Sequence, residues 1–188
     1  MARPRSHDDA ARARLLDAAA EAVARGGAEG FSLREVSSAA GTSTSAVYSL
    51  FGSREALVAA VGREAFARLA AHLESAPRSA DPRRDLLELG LAYRRFALAE
   101  PGFYRVMFDA APETGTGTEE QTFLVLREAV ERAAGRDSLE PAVALWALVH
   151  GLVGLELAGL LPGDEGEREE RYRKALQSVG PALVASPA

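Results

Sequence analysis

Residues 33–57 read LREVSSAAGTSTSAVYSLFGSREAL, and the punctuation of this stretch decides the fold. Ser32 stands just before it and Glu35 lies three residues after Ser32, the spacing of a capping box that opens a short helix with Leu33, Val36 and Ala40. Phe31 occupies the hydrophobic-staple position ahead of that cap. Gly41 breaks the pattern after about two turns, and Thr42 or Ser43 can cap a second short helix running to about Ser49. Ser53 caps a longer helix in which Leu57, Val61, Ala65, Leu69 and Leu73 recur every fourth residue, ending near Ser75.

Upstream, Ala10 to Arg25 places Leu15, Leu16, Ala19, Ala22 and Val23 on one helical face, with Gly26-Gly27 as a stop. Downstream, SAPRSADP (Ser75 to Pro82) lacks periodicity and reads as a joint. Helices are then expected over Asp85 to Ala99, Pro101 to Phe108, Glu119 to Ala134, Glu140 to Leu161 and Glu165 to Ala185. Ala110 to Thr118 reads as a loop, either without order or a lid over a pocket. The expected fold is all-α with about nine helices and no strand alternation. By function the chain divides into a head (1–56), a fourth helix with its joint (57–80) and a body (81–188).

Composition narrows the chemistry. Apolar residues are 47% and aromatics 6% of the chain, which favours helix formers. With no Cys, disulfides, thiolate metal sites and a Cys nucleophile are excluded. Nothing implies a cofactor or a metal ion. Arg3 and Arg5 precede no apolar run, so no secretory signal is expected and the cytoplasm is the expected location. Residues 1–75 hold 9 basic and 9 acidic side chains, so the net charge of −5 belongs wholly to residues 76–188. A neutral head supports nucleic-acid binding only weakly by charge. Pro141 to Leu161 is apolar nearly all round, yet Glu156 inside it and the acidic residues after it argue for a helix buried by neighbours rather than a membrane span. Gly151, Gly154 and Gly159 would let another helix approach it.

Two short helices joined at Gly41 fit a helix-turn-helix, whose second helix enters the major groove, and equally an ordinary helical hairpin with Ser and Thr as caps. Small and hydroxylic residues at Ser43, Thr44, Ser45 and Ala46 would let the second helix sit deep in a groove. The wording is more specific than the spacing. Over about Ala10 to Leu57 the chain resembles the DNA-binding head of the tetracycline-repressor (TetR) family. The resemblance is carried by Gly30-Phe31-Ser32, Ala40-Gly41, Val47-Tyr48 and Phe51-x-Ser53-Arg54-Glu55-x-Leu57. Leu50 departs from that pattern, standing where a His is frequent.

The resemblance implies DNA-binding roles for Ser32, Arg34, Thr42, Ser43, Thr44, Ser45, Tyr48 and Arg54. Ser32 with its helix N-terminus, Tyr48 and Arg54 would hold phosphates, Arg54 matching a position where the family usually has Lys. Arg34, Thr44 and Ser45 would face bases, and only Arg34 could grip guanine with two hydrogen bonds. Its alternative is a surface arginine paired with Glu35 or Asp17. Val47 and Phe51 belong to the head's core.

In the body, YRRFALAEPGFYRVMFD and WALVHGLVGLE resemble a C-terminal subgroup of the family marked by Trp146-x-x-x-His150-Gly151. This implies a small, largely apolar effector among Tyr93, Phe96, Phe103, Met107, Phe108, Phe123, Trp146 and His150. It also implies a homodimer formed through 140–161 and 165–185. The expected protein is thus a ligand-responsive transcriptional regulator, a repressor by family habit, that leaves double-stranded operator DNA when the effector binds. The competing readings are a pure protein-interaction module and an all-α carrier or enzyme using His150 and Glu156.

Overall fold

The computed structural model describes residues 5–109, 118–136 and 139–184. Among them are nine helices: α1 (Arg5–Gly30), α2 (Leu33–Ala39), α3 (Thr44–Phe51), α4 (Arg54–Glu74), α5 (Pro82–Ala99), α6 (Pro101–Asp109), α7 (Thr118–Ala134), α8 (Leu139–Leu157) and α9 (Glu165–Val184). The all-α expectation holds, and four helix ends differ from the sequence reading by three residues or more, the first being the start of α1 at Arg5 rather than Ala10. The glycine stop after Arg25 appears as a break at Gly27, with φ 75°, beyond which helical turns resume to Gly30. Helix α5 starts at Pro82 rather than Asp85, because Asp81 caps it by accepting the Arg83 and Arg84 N–H groups and proline suits the first helical position. Helix α8 stops at Leu157 rather than Leu161: Gly159 turns left-handed at φ 69° and its neighbours close the end, Leu160 N–H donating to the Leu155 carbonyl. The expected loop lies, but for Thr118, outside the described residues, as does Arg3.

The chain forms two compact units, Met1–Arg68 with Glu100–Glu119, and Leu69–Ala99 with Glu120–Ala188. This division by compactness differs from the division by function read along the sequence, because α6 packs on α1. In the first unit the anticipated face of α1 is buried (Leu15, Leu16, Ala19, Ala22, Val23), together with Val36, Val47, Leu57, Val61 and Ala65. Gly102 explains how α6 comes so close: a Cβ there would stand 3.0 Å from the Ala20 carbonyl carbon and oxygen. Arg105 adds a hydrogen bond from Nη1 to the Ala24 carbonyl at 2.8 Å.

In the second unit α5, α8 and α9 pack together. Val130, Ala142, Leu145 and Val184 form a core cluster with Leu86, Phe123 and Leu126 against it. Through this apolar packing runs an ion pair: Arg94 grips Glu156 with Nε at 2.8 Å and Nη2 at 2.7 Å, and both side chains are buried. Arg168 Nε donates to the same carboxylate at 3.2 Å. Tyr172, buried beside them, donates its hydroxyl to the Gly90 carbonyl at 2.9 Å. Among the described residues α8 is long and apolar enough to cross a membrane, and with 28% of its apolar window buried it is not enclosed within this chain as the sequence reading expects.

Candidate nucleic-acid interface and effector site

The turn between α2 and α3 is built by its caps. Ser32 caps α2, its hydroxyl accepting the Arg34 N–H at 3.2 Å rather than that of Glu35, and Ser43 caps α3 by accepting the Ala46 N–H at 3.3 Å. Gly41, at φ 64°, takes the left-handed position that closes α2, and the Thr42 N–H reaches the Ser37 carbonyl at 2.9 Å. Arg14 of α1 fixes the turn from below, Nε donating to the Ala40 carbonyl at 3.0 Å.

Val47 is wholly buried, so α3 faces the core on that side and turns Ser45, Tyr48 and Ser49 outward together. Tyr48 is 56% exposed, a large ring left in water. Of the eight sequence-derived DNA residues, Ser32, Arg34, Ser43, Ser45 and Tyr48 are exposed, while Thr42, Thr44 and Arg54 are half-buried. Arg34 makes no ion pair among the described residues, and Asp17, one of its suggested partners, is bound instead by Arg68. Ser49, four residues after Ser45, is exposed on the same face of α3. Phe51 is half-buried under the Arg12 guanidinium, 4.6 Å from the ring centre.

Arg54 does more than face solvent. Its guanidinium lies 4.3 Å over the Phe31 ring and Nη2 donates to the Phe31 carbonyl at 3.3 Å, tying the start of α4 to the residue before the Ser32 cap. A lysine at this position has no flat face to stack on the ring while an N–H in its plane bonds the carbonyl.

The eight effector candidates fall in different units. Phe103, Met107 and Phe108 belong to the first, the former two buried in the helix that packs on α1. Tyr93, Phe96, Phe123, Trp146 and His150 belong to the second. There Phe123 and Trp146 meet at 5.7 Å with tilted rings, Tyr93 and Phe96 are buried, and burial pushes the half-buried His150 below the ordinary imidazole value. Phe96 also faces the His72 ring at 5.9 Å. A cleft of about 20 Å³, room for one water, is lined by Leu73, Pro77, Arg78, Asp85, Leu89 and Arg132 and by none of these candidates.

Burial pushes the Glu156 carboxyl up, but the hydrogen bonds and charges of Arg94 and Arg168 outweigh it and hold it below the usual carboxylate value. A carboxylate so engaged is a poor acid or base, which removes half of the His150–Glu156 pair that an enzyme would use. Among the described residues no cluster of three or more His, Asp or Glu could hold a metal ion.

A capped pair of short helices about a left-handed glycine, with a hydroxyl face turned outward, has the geometry of a helix-turn-helix. Residues 15–61 match the bacterial regulatory proteins of the TetR family, and residues 86–179 match the tetracyclin repressor-like C-terminal domain. The chain belongs to the TetR family of transcriptional regulators. Solved structures share its fold. A protein of unknown function from Rhodococcus sp. RHA1 is 25% identical, with 93% of each chain covered and a TM-score of 0.71. A TetR family transcription regulator from Marinobacter aquaeolei VT8 is 22% identical over 93% of this chain and 97% of that one, with a TM-score of 0.74. AibR, solved in complex with isovaleryl coenzyme A and operator DNA, is 15% identical over 90% and 97% of the two chains, with a TM-score of 0.70. No curated protein matches the chain in sequence.

Proposed function

We propose that this regulator binds a palindromic operator as a homodimer and is released by a small, largely apolar effector. The observation that carries the reading is the outward face of α3, where Ser45, Tyr48 and Ser49 stand exposed over a buried Val47. Ser32, Thr42, Ser43, Tyr48 and Arg54 hold phosphates and set the register, and Arg34, Thr44 and Ser45 face base edges. A helix-turn-helix on each side of a two-fold axis reads half-sites about 34–36 Å apart, or a multiple of that.

The homodimer forms through α8 and α9. Leu139, Val143, Trp146 and Leu155, spread over about half of the circumference of α8, and Val179 of α9 are exposed apolar side chains that a second copy would cover. Nothing stands within 4 Å of a Cβ placed on Gly151 or Gly154, so a partner helix could approach there. The buried pairing of Glu156 with Arg94 favours α8 as a helix of a soluble cytoplasmic protein over a membrane span. The effector sits among Tyr93, Phe96, Phe123, Trp146 and His150, the Trp146-x-x-x-His150-Gly151 sequence marking the subgroup, with Phe103, Met107 and Phe108 the remaining candidates. AibR, held with a coenzyme A thioester and operator DNA together, is a member of the same fold on which both ligands are seen. Effector binding favours one arrangement of α4, and DNA affinity falls because the two states differ in free energy for each ligand.

Titration of the full chain against duplex fragments from its own promoter region tests the reading. Saturable binding that competitor DNA does not remove supports it, and uniform weak binding to every fragment contradicts it.

A further inference from the structure

Arg68 is the last residue of the first compact unit before the chain leaves it within α4, and Glu100 is the residue at which the chain re-enters. The two meet: Arg68 Nη1 lies 3.9 Å from the Glu100 carboxylate. The same guanidinium donates from Nη2 to Asp17 of α1 at 2.8 Å and from Nε to Glu64, one turn earlier in α4, at 2.8 Å. Its flat face covers the Phe103 ring of α6 at 4.1 Å. One planar cation thus gathers three carboxylates and a ring from α1, α4, the residue before α6 and α6 itself. Arg is suited to this and Lys is not, because a fork can bond in its plane while stacking on its face.

The contacts continue toward the DNA-reading turn. Asp17 lies one turn along α1 from Arg14, whose Nε holds the Ala40 carbonyl at the end of α2. On the other side of the node, Gly102 seats the start of α6 directly on the Ala20 backbone. Both places where the chain passes through Arg68 and Glu100 are therefore tied to the helix that supports the turn.

We propose that Arg68 is a positioning residue for operator binding: it fixes the α4 and α6 crossings to α1, so that a helix-turn-helix docks in one orientation rather than several. Arg68 touches no base and no phosphate in this account. Its loss leaves each α3 face competent and impairs the simultaneous docking of two. The inference rests on the homodimeric, palindrome-binding reading above.

The test compares wild type with R68M, R68K and G102A by fluorescence anisotropy at fixed salt. The probes are a palindromic duplex selected by the wild-type protein from a random pool and a single half-site cut from it. R68M keeps the apolar stem and loses the ion pairs, R68K keeps the charge and loses the planar stack, and G102A lifts α6 from Ala20 without touching Arg68. Circular dichroism and thermal unfolding establish that each variant is folded. The expected result is a loss of about fivefold or more in affinity for the palindrome with R68M and G102A, a smaller loss with R68K, half-site affinity within about twofold, and an unchanged salt slope. Unchanged palindrome affinity, or equal losses on palindrome and half-site, overturns the proposal. Should R68M unfold, R68K decides: a loss on the palindrome with half-site affinity preserved supports the role of Arg68, and wild-type affinity on both probes overturns it. If the wild-type protein selects no palindrome, the functional reading itself has failed, an outcome separate from the failure of Arg68.

Discussion

Replacing Glu156 with Gln should destabilise the second unit far more than an ordinary surface change. The side chains of Arg94 and Glu156 are 3% and 5% exposed, and the guanidinium grips the carboxylate with two bonds of 2.8 and 2.7 Å. Removing one partner of such a pair leaves a buried charge uncompensated and typically costs about 3–5 kcal/mol. Glu169 stands 3.6 Å from Arg94 Nη1 but is 45% exposed, so it offsets part of the loss and places E156Q near the lower end. At about 2–4 °C per kcal/mol for a chain of this size, a loss of about 3 kcal/mol lowers the midpoint by roughly 6–12 °C. The chain has one tryptophan, Trp146, in the same unit, so urea unfolding followed by its fluorescence reports the transition directly. The double variant R94M/E156L, apolar at both positions, should lie within about 1 kcal/mol of wild type. An E156Q cost below about 1 kcal/mol, or a double variant worse than either single one, refutes the reasoning. The pH dependence has a definite sign. Because the folded value of Glu156 is lowered, its contribution is present above the unfolded value of about 4.3 and is lost as pH falls through the lower folded value. The gap between wild type and E156Q should therefore narrow below about pH 4.

Three further outcomes are expected. Arg54→Lys keeps the charge but loses the stack on Phe31, so stability falls by about 1 kcal/mol with the salt slope of DNA binding unchanged, whereas Arg54→Gln also reduces that slope by about 0.9; anisotropy across a salt series separates them. Tyr48→Phe removes the exposed hydroxyl and weakens operator binding about fivefold at constant slope, and an unchanged affinity removes Tyr48 from the phosphate contacts. Val143→Glu, on the exposed face of α8, should shift the protein toward monomer in sedimentation velocity at micromolar concentration while leaving its helical content intact.

The elements nearest Gly41 were legible because each rests on local signals. Ser32, Ser43 and Ser53 cap their helices within three residues, and the four-residue repeat from Leu57 to Leu73 is buried throughout. The start of α5 was misplaced because Asp81-Pro82 reads both as a joint and as a helix opening. The end of α8 was misplaced because Leu160 and Leu161 continue the apolar run after Gly159 has turned the backbone. What no local signal carries is partnership at a distance. Arg94 and Glu156 are 62 residues apart, and α6 reads as amphipathic whichever helix it packs on. The aromatic candidates share that limit: Phe103 and Phe123 look alike in sequence, yet one lies beneath Arg68 and the other beside Trp146.

The central claim is that α3 reads duplex DNA, and the most direct measurement is the affinity of the wild-type protein for its selected palindrome and for a scrambled duplex across a salt series. The account predicts log K falling linearly with log salt for both, with the palindrome tighter by about 10³ or more at physiological salt. Equal affinity for the two duplexes, or binding that does not change with salt, would contradict it.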